Sequence, residues 1–302
     1  MKNVIWFLPL LAVFLVGNGH AAPAALQFDG VNDYVTFGQA TSTLGASNFT
    51  IECWFKRTGP GQTASTGTGG LIAVPLVTNG CREQENSNRD LNYFLGIDST
   101  GVISADFESF AFMNNNAPVK GHTQINTGVW YHVAATYDGS FWSLYLNGQL
   151  ETNLAVSLPN RVQRHDSIQH AGVATALNST GATNGLFQGI MDEIRIWNHA
   201  RAQSQIQATM SNEVTSGTGL LGRWGFNEGE GDIAGNSVAG SPSGILSNGP
   251  MWVTDSPFRP PSVAMTSPAD GANVRAGTNL LVAAVAAYDG IISSVEFYVF
   301  LR

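Results

Sequence analysis

At 302 residues the chain has room for one large β domain with something smaller beside it, and is too long for a single small domain. Charged residues make up only 12 %, aromatics 10 %, and there are 34 glycines, which excludes long amphipathic helices and favours many short strands joined by tight turns. A net charge of −8 with only 14 Lys and Arg excludes a nucleic-acid partner, whose phosphates need clustered cations, and suits neutral sugars, proteins or metal ions better.

The first residues read as an export signal. Lys2 supplies positive charge, residues 4–16 form an apolar core, and Gly19, His20 and Ala21 place small residues at a cleavage point after Ala21. The apolar run is shorter than the roughly 20 residues that span a bilayer, so residues 1–21 are expected to be removed. The mature protein is then expected to be soluble, secreted or at the cell surface, and not inserted in a membrane.

Short strands are predicted next at residues 26–28 and 34–37. Residues 49–56 alternate with period two, setting Phe49, Ile51, Cys53 and Phe55 on one face and Thr50, Glu52, Trp54 and Lys56 on the other. Residues 62–70 read as a Gly/Thr/Ser-rich loop and 79–90 as a polar excursion, followed by strands at 93–97 and 102–107. Residues 130–137 and 141–146 form a meander, with Asp138-Gly139 and Asn147-Gly148 supplying the positive φ angles of tight hairpin turns. Strands at 187–197, 220–226 and 251–253 complete the set, with one short helix near 202–210 from the four-residue spacing of Ala202, Ile206 and Met210. So many short strands define an all-β sandwich or barrel.

Composition breaks after Phe258, where Arg259-Pro260-Pro261 reads as a linker. Residues 262–265 and 280–287 look like strands of a second β domain. About three strands fit before Arg302, where an immunoglobulin-type sandwich takes about seven, so the chain is expected to be a fragment of something longer. Its last run, 295–301, would be an apolar edge strand. In an oxidising compartment Cys53 and Cys81 are candidates for a disulfide, with free buried thiols as the alternative.

Four stretches in order carry a resemblance: residues 25–35 (ALQFDGVNDYV), 130–139 (WYHVAATYDG), 144–148 (LYLNG) and 189–197 (GIMDEIRIW), with Leu221-Gly222-Arg223-Trp224 and Trp252 fitting the same pattern. Together they resemble the laminin-G-like jelly rolls of bacterial secreted proteins, within the concanavalin A-like lectin/glucanase fold. This implies a two-sheet antiparallel jelly-roll sandwich over about residues 22–258. Residues 259–302, with Ser267-Pro268-Ala269-Asp270-Gly271 and Val295-Glu296-Phe297-Tyr298, resemble the first strands of a bacterial Ig-like repeat.

Alternation puts Asp192 in phase with Ile190, Ile194 and Ile196, facing inward, where an unpaired carboxylate is costly. The first turn, Asp29 to Asp33, is rich in the oxygen ligands that calcium takes. Relatives of the fold hold a structural calcium between the first turn and the last long strand; the resemblance maps this onto Asp29 and Asp192, with Asn32 or Asp33. The alternative is an Asx-stabilised turn and a hydrogen-bonded Asp192. Trp54, Trp142 and Tyr145 could form a platform for sugar rings. Trp142 shares a face with Leu144 and Leu146, which favours packing, whereas Trp54 lies beside Glu52 and Lys56 and suits a surface role.

Glucanases of this general fold place three acids along one strand as Glu-x-Asp-x-Glu. That motif is missing: Asp192 and Glu193 are adjacent, Asp106 and Glu108 share a face without a third acid, and Glu228, Glu230 and Asp232 are spaced by glycines. The six histidines form no metal pair, and His132 reads as structural. The expectation is therefore no enzyme but an exported recognition module for a glycan or an extracellular protein, with calcium. An accessory domain of a larger hydrolase and a ligand-free spacer are the alternatives.

Overall fold

A computed structural model of the chain describes residues 24–109, 116–156 and 163–257, together with two strands at 262–267 and 283–287. The expected signal segment and the last apolar run lie outside the described residues. No helix among the described residues is long and apolar enough to cross a membrane.

Residues 21–257 form one compact unit, an antiparallel two-sheet sandwich. With strands numbered in chain order, the first sheet runs β11 (Gln149–Ala155), β10 (Phe141–Leu146), β9 (Trp130–Tyr137), β3 (Phe49–Arg57), β15 (Gln188–Trp197), β1 (Ala25–Asp29) and β19 (Met251–Val253), with β16 (Leu220–Trp224) also on β15. The second runs β17 (Ile233–Ala234), β18 (Gly244–Ser247), β2 (Tyr34–Gln39), β12 (His170–Val173), β5 (Ile72–Asn79), β6 (Tyr93–Asp98), β7 (Val102–Asp106) and β8 (Val119–Gln124), with β4 (Ala64–Ser65) on β5. A small hairpin, β13 (Thr175–Leu177) and β14 (Thr183–Leu186), and two short helices, α1 (Thr41–Leu44) and α2 (Gln203–Thr209), complete this unit. In the other unit, β20 (Ser262–Ser267) pairs antiparallel with β21 (Ala283–Ala287).

The core lies between the two sheets, where Phe49, Phe55, Tyr93, Phe107, Tyr137 and Trp142 are buried together. Their rings meet edge to face or tilted: Phe49 and Trp142 are 5.3 Å apart at 90°. Each fully buried large apolar side chain contributes about 1.5–3 kcal/mol by leaving water, so this cluster fixes how the sheets face each other. Cys53 belongs to this core, whereas Cys81 packs with Leu71, Leu91 and Phe94 in a separate cluster behind the second sheet. Both thiols are free and buried, which corrects the expected disulfide: a layer of the sandwich lies between them. Burial pushes both thiols up, Cys81 to about 12, so neither is a reactive thiolate.

Asn147 and Gly148, at φ 48° and 71°, make the two-residue turn between β10 and β11, with Leu146 opposite Gln149. The Asp138-Gly139 turn is longer, since Tyr137 pairs with Trp142 and the Asp138 carboxylate accepts from the Ser140 and Phe141 amides. β5, which carries Pro75, was not among the expected strands. The proline is tolerated at a shift of register between Pro75 and Val77, where the ladder is already interrupted. At the far side, the Glu151 carboxylate of β11 accepts from the backbone amides of His122 and Thr123 on β8, joining the edges of the two sheets.

Candidate functional site

Of the four residues expected to hold calcium, the structure keeps Asp29, Asn32 and Asp33 in one turn and sets Asp192 apart. In the first turn, Asp29 Oδ1 accepts from the amides of Val31 (2.7 Å) and Asn32 (3.2 Å), and Asp33 Oδ2 accepts from the Asp29 amide, which is an Asx-stabilised turn. Asp29 stands opposite Gln188, four positions along β15 from Asp192. Asp192 does not face the core. Met191 does, opposite Leu26 and Phe55, so Ile190 and Asp192 point to the outer face of the first sheet. The alternation is reset by a bulge between Asp192 and Arg195, where Glu193 takes φ +50° and one extra residue returns Ile194 and Ile196 to the core. Asp192 is buried there under the segment after β19, and Ser256 Oγ donates to its Oδ2 at 2.7 Å. Burial holds its carboxyl well above the usual carboxylate range, against the Ser256 hydrogen bond and nearby Arg223.

The three candidate sugar-stacking aromatics are also parted. Trp142 is fully buried in the core; Tyr145 is buried on the outer face with Ala134 and Ile206 of α2. Trp54 lies half-buried on that outer face and donates its Nε1–H to the Met210 carbonyl at 2.7 Å. The rest of the face is an ion network beneath α2. Glu52 accepts from Trp197 Nε1 and Arg201 Nη1, both at 2.8 Å, with His132 and Arg195 beside it, and Glu193 is held by Arg195 and Arg223. Burial pushes Glu52 up, but His132, Arg195 and Arg201 outweigh it and hold it down to about 2. These groups form an ion network that anchors α2, since Arg195 and Arg201 also donate to the carbonyls of Thr209 and Gln205, while Glu52 Oε2 and both His132 ring nitrogens make no hydrogen bond among the described residues.

A different group of acids has no ion pair among the described residues. Glu85, Asp90 and Glu108 gather behind the second sheet, each offering a carboxylate oxygen within 4.8 Å of the others'. Asp90 ends the polar excursion that leads into β6, and Glu108 follows β7, where its amide donates to the Leu91 carbonyl. Glu85 reaches in from the excursion, fixed by the Thr68 amide at 3.0 Å on its Oε1. The Gly-rich loop is therefore held: Thr66 Oγ1 donates to buried Asp106 at 2.6 Å, and Asn116 donates to the same carboxylate and to the Thr66 carbonyl. Gly67, at φ +121°, lets this backbone pass close, since a Cβ there would sit 3.0 Å from both Asn116 Oδ1 and Glu85 Oε1.

Glu108 is buried, and among the described residues neither of its carboxylate oxygens has a hydrogen-bond partner. Glu85 Oε2, Asp90 Oδ2 and Asn116 Oδ1 are likewise buried without one. Burial, with repulsion from neighbouring acids, pushes Asp90 up to about 7 and Glu108 to about 8, against the opposing effect of Arg164. Asp106 rises to about 7 through burial, despite its hydrogen bonds. A set of orphaned oxygen acceptors, three of them carboxylic, fits a hard cation such as calcium, which takes 6–8 oxygen ligands and displaces their protons on binding. Sequence reasoning missed Glu85 and Asp90. The one signal for them was the polar excursion itself, because the contact is made by loop folding across separate stretches of chain.

A jelly-roll sandwich with a loop-rimmed acidic site behind one sheet defines a class of folds before it defines a protein. The chain belongs to the concanavalin A-like lectin/glucanases superfamily, whose laminin-G-like family profile matches residues 29–207; a bacterial Ig domain profile matches 261–299. Mouse pappalysin-1 is 25 % identical over 194 residues, covering 62 % of this chain and 11 % of that protein. Among solved structures, a Bacteroides ovatus protein assigned a carbohydrate-binding role superposes at a TM-score of 0.54 with 19 % identity, over 78 % of this chain and 61 % of that one. A heptameric pentraxin of Limulus polyphemus is 14 % identical at a TM-score of 0.47, over 76 % of this chain and 94 % of its own. The chain thus spans about a tenth of pappalysin-1 and less than two thirds of the Bacteroides protein.

Proposed function

We propose that residues 22–258 form an exported carbohydrate-binding module, with calcium held by Glu85, Asp90 and Glu108 behind the second sheet. The observation that carries this reading is Glu108: a buried carboxylate with both oxygens orphaned, beside two further carboxylates. When bound, calcium would supply the positive charge that balances these carboxylates. Asn116 Oδ1 adds a neutral acceptor at the same place, and the Thr68 amide orients Glu85. Family membership and the Bacteroides likeness support a sugar as the ligand by analogy of fold. The export-like leader supports a place outside the cell.

The test is a glycan array and a thermal melt, each run with calcium and with chelator, on the wild type and on Glu108→Gln, Asp29→Asn and Asp192→Asn. Glycan binding and a calcium-dependent rise in melting temperature are expected in all but Glu108→Gln. A calcium response that survives in Glu108→Gln and disappears in Asp29→Asn and Asp192→Asn would move the ion to the first turn. No response anywhere would leave a metal-free sandwich, and sugar hydrolysis on the array would replace binding with catalysis.

A further inference from the structure

We propose that Lys56 and Asp255 become joined by a side-chain amide that fastens the end of the sandwich to its central strand. The pairing stands on geometry away from the acidic site. Lys56 is near the end of β3 on the outer face of the first sheet, between Trp130 of β9 and Ile190 of β15. Asp255 lies in the short segment that leaves β19 and crosses that face, and its Oδ2 is in direct contact with Lys56 Nζ. The indole of Trp130 shields the pair: Lys56 Nζ lies 5.4 Å from the ring centroid, and Trp130 Nε1 donates to Asp255 Oδ1 at 3.1 Å. The amine keeps 14 % of its side-chain exposure and the carboxyl 34 %.

Three groups needed for a condensation are in place. The Lys56 amine is the nucleophile once the ion pair has passed a proton from Lys56 Nζ to the Asp255 carboxylate, which leaves a neutral amine against a neutral acid. Asp255 Cγ, in a protonated carboxyl, is the electrophile, and the Trp130 Nε1–H lies on the oxygen where negative charge develops. Asp192 is the proton carrier. It faces the same side as Lys56, because it stands opposite Trp54, two positions back along β3, and Ser256, next to Asp255, donates to it. Its burial favours the protonated acid. The nitrogen bonds to Cγ, the C–OH bond breaks, the Asp192 proton leaves with the hydroxyl as water, and the proton released by nitrogen returns to Asp192. Amine and carboxylic acid give amide and water, so atoms and electrons balance without an oxidant or co-reactant. Holding the two partners in contact supplies the effective concentration that the reaction lacks between free side chains in water.

Mass spectrometry of the full chain, denatured and then digested with trypsin, tests this. The expected result is a mass lower by one water molecule than the sequence requires, and a branched peptide containing Lys56 and Asp255 with no cleavage after Lys56. Lys56→Arg and Asp255→Ala should restore the full mass, and Asp192→Asn should leave most chains unjoined. An unmodified wild-type mass with normal cleavage after Lys56 overturns the proposal and needs no variant to fold. A lost water that maps instead to a cyclised Asp-Gly pair, such as Asp29-Gly30 or Asp138-Gly139, overturns it as well.

Discussion

Replacing Glu108 with Gln should change the sign of its effect with the metal. In chelator the folded wild type must keep this carboxyl protonated, because burial raises it from the ordinary 4.5 to about 8. At pH 7 that is about 2.5 units of proton binding imposed by folding, an upper value near 3.5 kcal/mol at ~1.4 kcal/mol per unit. Solvent reaching the loop rim reduces it to about 1–2 kcal/mol. Gln presents the same shape without a proton to bind, so Glu108→Gln should be more stable than wild type in chelator. In calcium at about 100 times its dissociation constant the wild type gains ~2.7 kcal/mol that the variant loses, so the order should reverse. Differential scanning fluorimetry at pH 7 under both conditions reads this crossing. The same order in both would refute a cation role for Glu108 and leave it an unsatisfied core acid.

Raised carboxyls also set a pH trend. Since Asp90, Asp106 and Glu108 bind protons more tightly when folded, their contribution is present below about 4 and lost as pH rises through about 7 to 8. The metal-free melting temperature should therefore fall from about pH 5 to pH 8; a flat or rising profile would refute the burial of these groups. In denaturant both cysteines should react with a thiol reagent, and reductant should leave the melting temperature unchanged; an unreactive pair would restore the disulfide. Glu52→Ala should destabilise by about 3–5 kcal/mol by leaving Arg195, Arg201 and His132 without their shared anion. A loss below about 1 kcal/mol in urea melts would show that the network under α2 is not a unit.

The strands that alternate cleanly were legible because a half-buried strand writes its burial into the sequence with period two. β3, β9 and β10 are found where the pattern placed them, and α2 lies within the expected four-residue spacing. The pattern misled where a backbone irregularity resets the phase, as at Glu193, or where a proline sits at a register shift, as at Pro75. β8 and β11 carry too few apolar residues for any period to register. The acidic site was illegible for another reason: the polar excursion announces exposure, yet Asp90 is buried, because the loop folds back over its own sheet. Asp106 and Glu108 were visible as acids on one face, but their partners depend on tertiary folding alone.

Glu151 has a consequence for how such modules live together. The free edges of a sandwich are places where a second copy could add its own strand, and that hazard grows when many copies share one surface. By taking the amides of His122 and Thr123 on its carboxylate, Glu151 occupies donors that an incoming strand would need, and it does so with a charge that an apolar neighbour cannot displace cheaply. Along that margin the donors an added strand would need are already taken.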